Sequence, residues 1–125
     1  MKPRDTMLRA KRFDVTEKAR KVGSLETMIQ DLEHMAADLT RQIVAEEERT
    51  GIKDVAHFAY STFAKAAAAR RINLLNSVTD LRTKLDIAKR EHEEAVLELG
   101  KIEPADGRDS DRLQRKVDRN GLMIG

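Results

Sequence analysis

The fold is decided by the stretch LETMIQDLEHMAADL, residues 25–39. Its apolar residues return at alternating steps of four and three, which is the period of a coiled-coil seam. A helix with a single apolar stripe has to bury that stripe against a second helix. The stretch therefore predicts an all-α protein in which this stripe has a helical partner. The stripe consists of Leu25, Ile29, Leu32, Ala36 and Leu39.

The same period extends to both sides of this stretch and reappears after Gly51. When the chain folds back at Gly51, one register pairs Leu25 with Leu85 and Leu32 with Val78, and it fits the whole length. The sequence therefore predicts a long two-helix antiparallel coiled-coil hairpin. The first run comprises Leu8, Val15, Val22, Leu25, Ile29, Leu32, Ala36, Leu39 and Ile43, and the second Ala64, Ala67, Leu74, Val78, Leu81, Leu85, Ala88, Ala95, Leu99 and Ile102.

Boundary signals place helix one at about residues 5–50 and the tip at 51–63. Asp5 and Thr6 are N-cap residue types, and a helix of this length would be about 70 Å long. Because no enclosed pocket is expected in such a hairpin, its function should depend on the surfaces that it presents to other molecules.

Helix two is expected at about residues 61–103, where Pro104 stops it. Its start is open, because either Asp54 or Ser61 could cap it. Residues 104–125 form a separate charged tail, which we expect to be flexible unless a partner orders it.

Charge supports the same antiparallel register. Residues 1–24 contain eight basic and three acidic side chains, and residues 25–50 contain two basic and seven acidic ones. Residues 65–90 contain seven basic and two acidic side chains, and residues 91–103 one basic and five acidic ones. The hairpin lays each block beside one of opposite sign, whereas a parallel homodimer of helix one would stack like charges.

Composition argues against several classes of protein. Only 3% of the 125 residues are aromatic and 37% are charged, which is typical of an exposed helix pair and not of a large globular core. The net charge of +2 favours no particular partner. The absence of cysteine excludes disulfides and thiol chemistry. The sequence predicts neither a transmembrane helix nor a secretory signal.

No combination of residues predicts catalysis. His34, His57 and His92 lack the i, i+4 spacing of a helical metal-ligand pair, so we expect no metal or cofactor. The acidic run 46–48 has no expected pocket around it that could shift a carboxyl pKa for acid–base work. We therefore expect a protein that is not an enzyme.

Apolar residues outside the seam indicate candidate docking surfaces. Phe58, Tyr60 and Phe63 crowd the tip, and Ile72 and Leu75 flank the seam of helix two. For the tip aromatics two interpretations stay open: they bind a partner, or Phe58 and Phe63 simply cap the end of the seam.

Three stretches give the chain a resemblance to a known family. They are MKPRDTMLRAKRF at residues 1–13, AEEERTGI at 45–52 and, most distinctively, AHFAYSTFAKAAAARR at 56–71. With them, residues 1–103 resemble the FliJ-type flagellar export proteins in their alphaproteobacterial form. The resemblance implies an antiparallel coiled coil, similar to the central stalk of rotary ATPases, in the flagellar type III export apparatus.

The resemblance also implies partners and a location. These are the hexameric export ATPase, the cytoplasmic domain of the export gate and other export chaperones, in the cytoplasm at the inner-membrane face of the flagellar base. The ATPase would supply the chemistry. By analogy, Leu8, Arg9, Arg12 and Phe13 lie at the ATPase end, whereas the gate or chaperone contact falls to Phe58, Tyr60, Phe63, Ile72 and Leu75.

Two alternatives come from other classes. The eight basic residues of the first 24 could bind nucleic acid phosphates, although acidic residues follow closely and only Phe13 is interleaved with them. The chain could also be a generic coiled-coil scaffold that dimerises through its exposed apolar flanks.

Overall fold

The computed structural model describes residues 2–103 and confirms the predicted fold class. Two long helices, α1 (Pro3–Thr50) and α2 (Thr62–Ile102), pack against each other as a helical hairpin. The predicted tail, residues 104–125, lies outside the described residues. The chain divides into two compact units, whose described parts are residues 2–18 with 91–103 and residues 19–90.

The start of α1 lies two residues before the predicted one. Pro3 is the first helical residue, a position at which its missing N–H costs nothing. The amides of Asp5 and Thr6 donate to the carbonyl of Lys2, at 3.0 and 3.2 Å. Asp5 and Thr6 are therefore not caps. They lie in the first turn, where the Asp5 carboxylate is placed favourably against the helix dipole.

Gly51 ends α1 in the left-handed region, with φ of 74°. Its amide donates to the carbonyl of Glu47 at 2.9 Å, which satisfies one of the last carbonyls of the helix. Gly51 has this conformation at low cost because it lacks a Cβ. The predicted end of helix one at Thr50 is therefore correct.

Ser61 caps α2, which settles the choice between the two candidate caps. Its Oγ accepts a hydrogen bond from the amide of Ala64 at 3.2 Å, the geometry of an N-cap. Asp54 instead closes a turn inside the tip, because its Oδ1 accepts from the amide of Ala56 at 3.0 Å.

Burial follows the predicted seam in the unit formed by residues 19–90. Ile29 and Leu39 of α1 and Val78 of α2 are 5–6% exposed, and Ala64 is fully buried. Ala64 and Ala67 are both buried, and side chains this small permit a short distance between packed helices. The buried apolar residues of this unit are Leu25, Ile29, Ala36, Leu39, Tyr60, Ala64, Ala67, Val78 and Ala88.

Polar contacts between the helices support the same antiparallel order in this unit. Arg71 donates from Nε to the hydroxyl of Thr40 at 2.8 Å. Arg82 forms an ion pair with Glu33 at 2.9 Å. Both contacts lie beside the apolar seam. Polar contacts of this kind specify the register of the two helices more than they increase the stability of the hairpin.

The unit formed by residues 2–18 and 91–103 has a more polar seam. Ala95 is buried. Lys18 falls on the heptad step between Val15 and Val22, His92 falls on the step between Ala88 and Ala95, and both are half-buried. The Lys18 amine binds both carboxylate oxygens of Asp14, at 2.9 and 3.0 Å. This hydrogen bond raises the pKa of Lys18 most, with smaller electrostatic contributions from Glu91 and Glu94 of α2.

Candidate docking surfaces

Most of the seam residues are buried or half-buried between the helices. The apolar side chains that a partner could contact are therefore those outside the seam. Among the described residues these large exposed side chains occur on both helices and at the tip. They are Met7, Phe13, Met28, Met35, Val44, Val55, Phe58, Phe63, Ile72, Ile87, Val96 and Leu97.

The four residues assigned to the ATPase end separate into two groups. Leu8 is half-buried at its seam position, so it is part of the packing between the helices. Arg9, Arg12 and Phe13 are exposed, and their i, i+3 and i+4 spacing places them on one face of α1. Phe13 is 66% exposed. A basic face with one apolar side chain at its edge suits an acidic protein surface that has an apolar recess.

Of the three tip aromatics, Tyr60 is not the exposed docking residue that was expected. Tyr60 is only 6% exposed, and its hydroxyl donates a hydrogen bond to Glu47 Oε2 at 2.9 Å. We therefore correct its assignment from an exposed docking residue to a structural one. Phe58 and Phe63 stay exposed, so neither caps the seam.

Phe58 is the most exposed large apolar side chain of the described residues, at 96%. Its ring stacks on that of His57, with the ring centroids 4.7 Å apart. The His57 ring is fixed in turn, because Nδ1 accepts a hydrogen bond from the amide of Ala59 at 3.0 Å. The tip thus presents one aromatic pair on a hydrogen-bonded turn.

The residues assigned to the gate do not form one surface. Ile72, 56% exposed, and Leu75, half-buried, lie one turn apart on the same side of α2. Phe63 lies nine residues before Ile72, or two and a half turns, and so projects from the opposite side. There it lines a shallow groove of about 150 Å³ together with Leu39, Gln42, Ala66, Ala67 and Arg70.

A charged cluster links the last turn of α1 to the start of α2. Glu46 accepts a hydrogen bond from the Ser61 hydroxyl at 3.1 Å and another from Arg49 Nε at 3.2 Å. The bond from Arg49 and, to a lesser degree, that from Ser61 lower the pKa of Glu46, while partial burial opposes them. Burial and the bond to Glu47 raise the pKa of Tyr60. This cluster therefore connects the two ends of the chain reversal through side-chain hydrogen bonds.

Sequence reasoning missed one surface, on the outer side of α2 near its end. Val96 and Leu97 are 44% and 67% exposed, and with His92 and Glu93 they line an open depression of about 430 Å³. The signal was present, because Leu97 falls outside the heptad of Ala95, Leu99 and Ile102. A lone apolar residue off the seam is common on protein surfaces, so the pattern alone does not indicate a binding site there.

Two negative findings apply to residues 2–103. No three His, Asp or Glu side chains lie close enough together to hold a metal ion. Neither helix contains a stretch that is both long enough and apolar enough to cross a lipid bilayer.

Comparison of the sequence and the structure with protein-family models, curated proteins and solved structures found no match.

Proposed function

We propose that this chain is a non-enzymatic component of a flagellar-type protein export apparatus. In this role it is a coiled-coil stalk and adaptor, located at the cytoplasmic face of the inner membrane at the flagellar base. It contacts the export ATPase ring with one surface and the export gate or export chaperones with another. The proposal is based on the resemblance of residues 1–13, 45–52 and 56–71, together with the hairpin fold, which is the architecture that the resemblance implies.

One observation supports the ATPase contact most strongly. Arg9, Arg12 and Phe13 share an exposed face of α1, and packing of the hairpin does not account for any of them. Exposed arginine and aromatic side chains are the residue types enriched at the energetic centres of protein interfaces. We assign the ATPase contact to this face, without Leu8, which is part of the seam.

The gate or chaperone contact is assigned to the side of α2 that carries Ile72 and Leu75. Here α2 presents an exposed isoleucine and a half-buried leucine one turn apart, the spacing by which a helix offers apolar anchors to a partner. Phe58 at the tip is a separate candidate contact, and Phe63 belongs to the opposite side of α2.

Nucleic acid is a weaker candidate as a partner. Within the unit formed by residues 2–18 and 91–103, two basic residues of α1 interact electrostatically with acidic residues of α2. Lys11 helps to lower the pKa of Glu98, although Lys101 has the larger effect, and Lys18 is influenced by Glu91 and Glu94. Charges with partners inside the hairpin are less available to phosphates.

The test exchanges charge on the proposed ATPase face. Arg9 and Arg12 are changed together to Glu, and binding to the purified hexameric export ATPase of the same cells is measured by biolayer interferometry. Lys53 and Lys65, both exposed, are changed to Glu as a control with the same change in net charge. We expect the first variant to lose most of its binding and the control to keep it, with equal helicity by circular dichroism.

Equal binding by both variants would reject the ATPase contact. Binding to DNA or RNA that is lost steeply between low and moderate salt in a gel shift would favour the nucleic acid alternative. A dimer in sedimentation equilibrium that is dissociated by Ile72→Asp would favour the generic scaffold.

A further inference from the structure

The depression on the outer side of α2 near its end has no partner among the described residues. His92, Glu93, Val96 and Leu97 line it, and Leu97 is two-thirds exposed. Glu93 forms no ion pair with any described residue, unlike Glu98, which pairs with Lys101 at 3.1 Å. The surface therefore combines two exposed apolar side chains with one unpaired carboxylate.

We infer that this depression is the docking site for the chain's own segment of residues 112–119, RLQRKVDR. The segment has the complementary chemistry. Leu113 and Val117 are spaced i, i+4, which places them on one side if the segment becomes helical. Its other side chains include four basic residues and one acidic residue, whereas residues 91–103 contain five acidic and one basic.

The connection between the two permits this contact. Residues 104–111 begin with the turn-forming sequence PADG and can extend over roughly 25 Å. Leu97 lies only about 9 Å back along α2 from Glu103. A segment that returns antiparallel to α2, with Leu113 opposite Leu97, brings Lys116 to the level of Glu93 and Glu94.

The tether also explains why the occupant is this segment and not a second copy of the chain. Val96 and Leu97 offer little apolar surface, whereas a stable interface between separate chains uses about 20 to 30 residues on each side. A short linker raises the effective concentration of the segment to about the millimolar range, so a small contact suffices within one chain. Docking would cover Leu97 and neutralise Glu93 in the free protein.

The test uses NMR spectra of the full-length chain labelled with ¹⁵N. In the unaltered protein we expect the amide signals of residues 112–119 to lie away from random-coil positions. Leu97→Asp should move them to those positions, because it places a charge in the apolar contact. Ile87→Asp is the matched control, since Ile87 is also exposed on α2 but lies outside the depression, and it should leave the signals unchanged.

Charge exchange provides a second readout that does not depend on the apolar contact. Glu93→Lys and Lys116→Glu should each reduce the displacement of these signals from random-coil positions several-fold, and the two changes together should restore most of it. The inference is overturned if the signals are at random-coil positions in the unaltered protein or do not respond to Leu97→Asp. It is also overturned if their displacement depends on protein concentration, which would identify a second copy as the occupant.

Discussion

The hydroxyl of Tyr60 donates a hydrogen bond to Glu47 Oε2 at 2.9 Å and so joins the residue before the α2 cap to the last turn of α1. Tyr60 itself is buried. Together with the bond from Ser61 to Glu46, this contact fixes the point at which the chain turns back. The tip is therefore defined by specific polar contacts in addition to the seam.

Ionisation of Tyr60 should require a higher pH than that of free tyrosine. Burial raises its pKa most, and the bond to the Glu47 carboxylate and the negative charge of that carboxylate raise it further. Because Tyr60 is the only tyrosine and the chain has no tryptophan, the absorbance of tyrosinate reports on this residue alone. We expect a spectrophotometric midpoint above the ordinary value of about 10.

Glu47→Ala should lower this midpoint but leave it above the ordinary value, since burial remains. Glu48→Ala, a change at the exposed neighbour, is the control and should have no effect. A normal midpoint in the unaltered protein would show that Tyr60 is not buried.

Acid should weaken the tip through Glu46. Its pKa is lowered in the folded chain, chiefly by the bond from Arg49. A lowered folded-state pKa stabilises the fold at pH values above the unfolded-state value, and this contribution is lost as the pH falls through the folded-state value. We expect the urea midpoint to decrease as the pH falls below about 4, and to decrease less in Glu46→Gln. Equal acid sensitivity of the two proteins would exclude Glu46 as a contributor.

Replacement of Gly23 and of Gly51 by alanine should change the free energy of unfolding in opposite directions. Gly23 lies inside α1, and a Cβ built there meets nothing within 4 Å. Gly23→Ala should therefore stabilise the hairpin by about 1 kcal/mol through helix propensity. Gly51→Ala should destabilise it by about 1 kcal/mol, because an alanine with φ of 74° is strained. Urea unfolding measures both, and the same sign for both would contradict the assigned conformations.

The seam should dominate stability. Ile29 is 5% exposed, whereas its neighbour Met28 is 48% exposed on the same turn of α1. Ile29→Ala should reduce the free energy of unfolding by about 2 kcal/mol or more, since it leaves a gap between the helices. Met28→Ala should change it by roughly 0.5 kcal/mol or less. Similar losses of unfolding free energy in both variants would show that Ile29 is not a residue of the buried seam.

The seam could be predicted from the sequence because the heptad period is a property of consecutive residues. Leu25, Ile29 and Val78 are buried where the pattern placed them. Lys18 and His92 fall on the same period, and both are half-buried. Long regular helices make this possible, since one register determines every layer.

The ends and the tip were less predictable because they depend on local geometry. The helix α1 begins at Pro3, two residues before Asp5, although Asp is the residue type that usually caps a helix. Tyr60 belongs inside the turn, while Phe58 two residues earlier does not, and aromatic content alone cannot separate them. Partner surfaces are harder still, since Phe13 and Leu97 are exposed to a similar extent and nothing in the period says which of them binds.

The distance between nitroxide labels at positions 33 and 82 tests the antiparallel hairpin most directly. The chain has no native cysteine, so Glu33→Cys and Arg82→Cys direct the labels to these two positions. Dilution with unlabelled protein removes contributions from pairs in different molecules. Because the ion pair of Glu33 and Arg82 joins two packed helices, pulsed electron paramagnetic resonance should give a narrow distribution below about 25 Å. A distance near 70 Å, roughly that of 49 residues in one continuous helix, would contradict the hairpin.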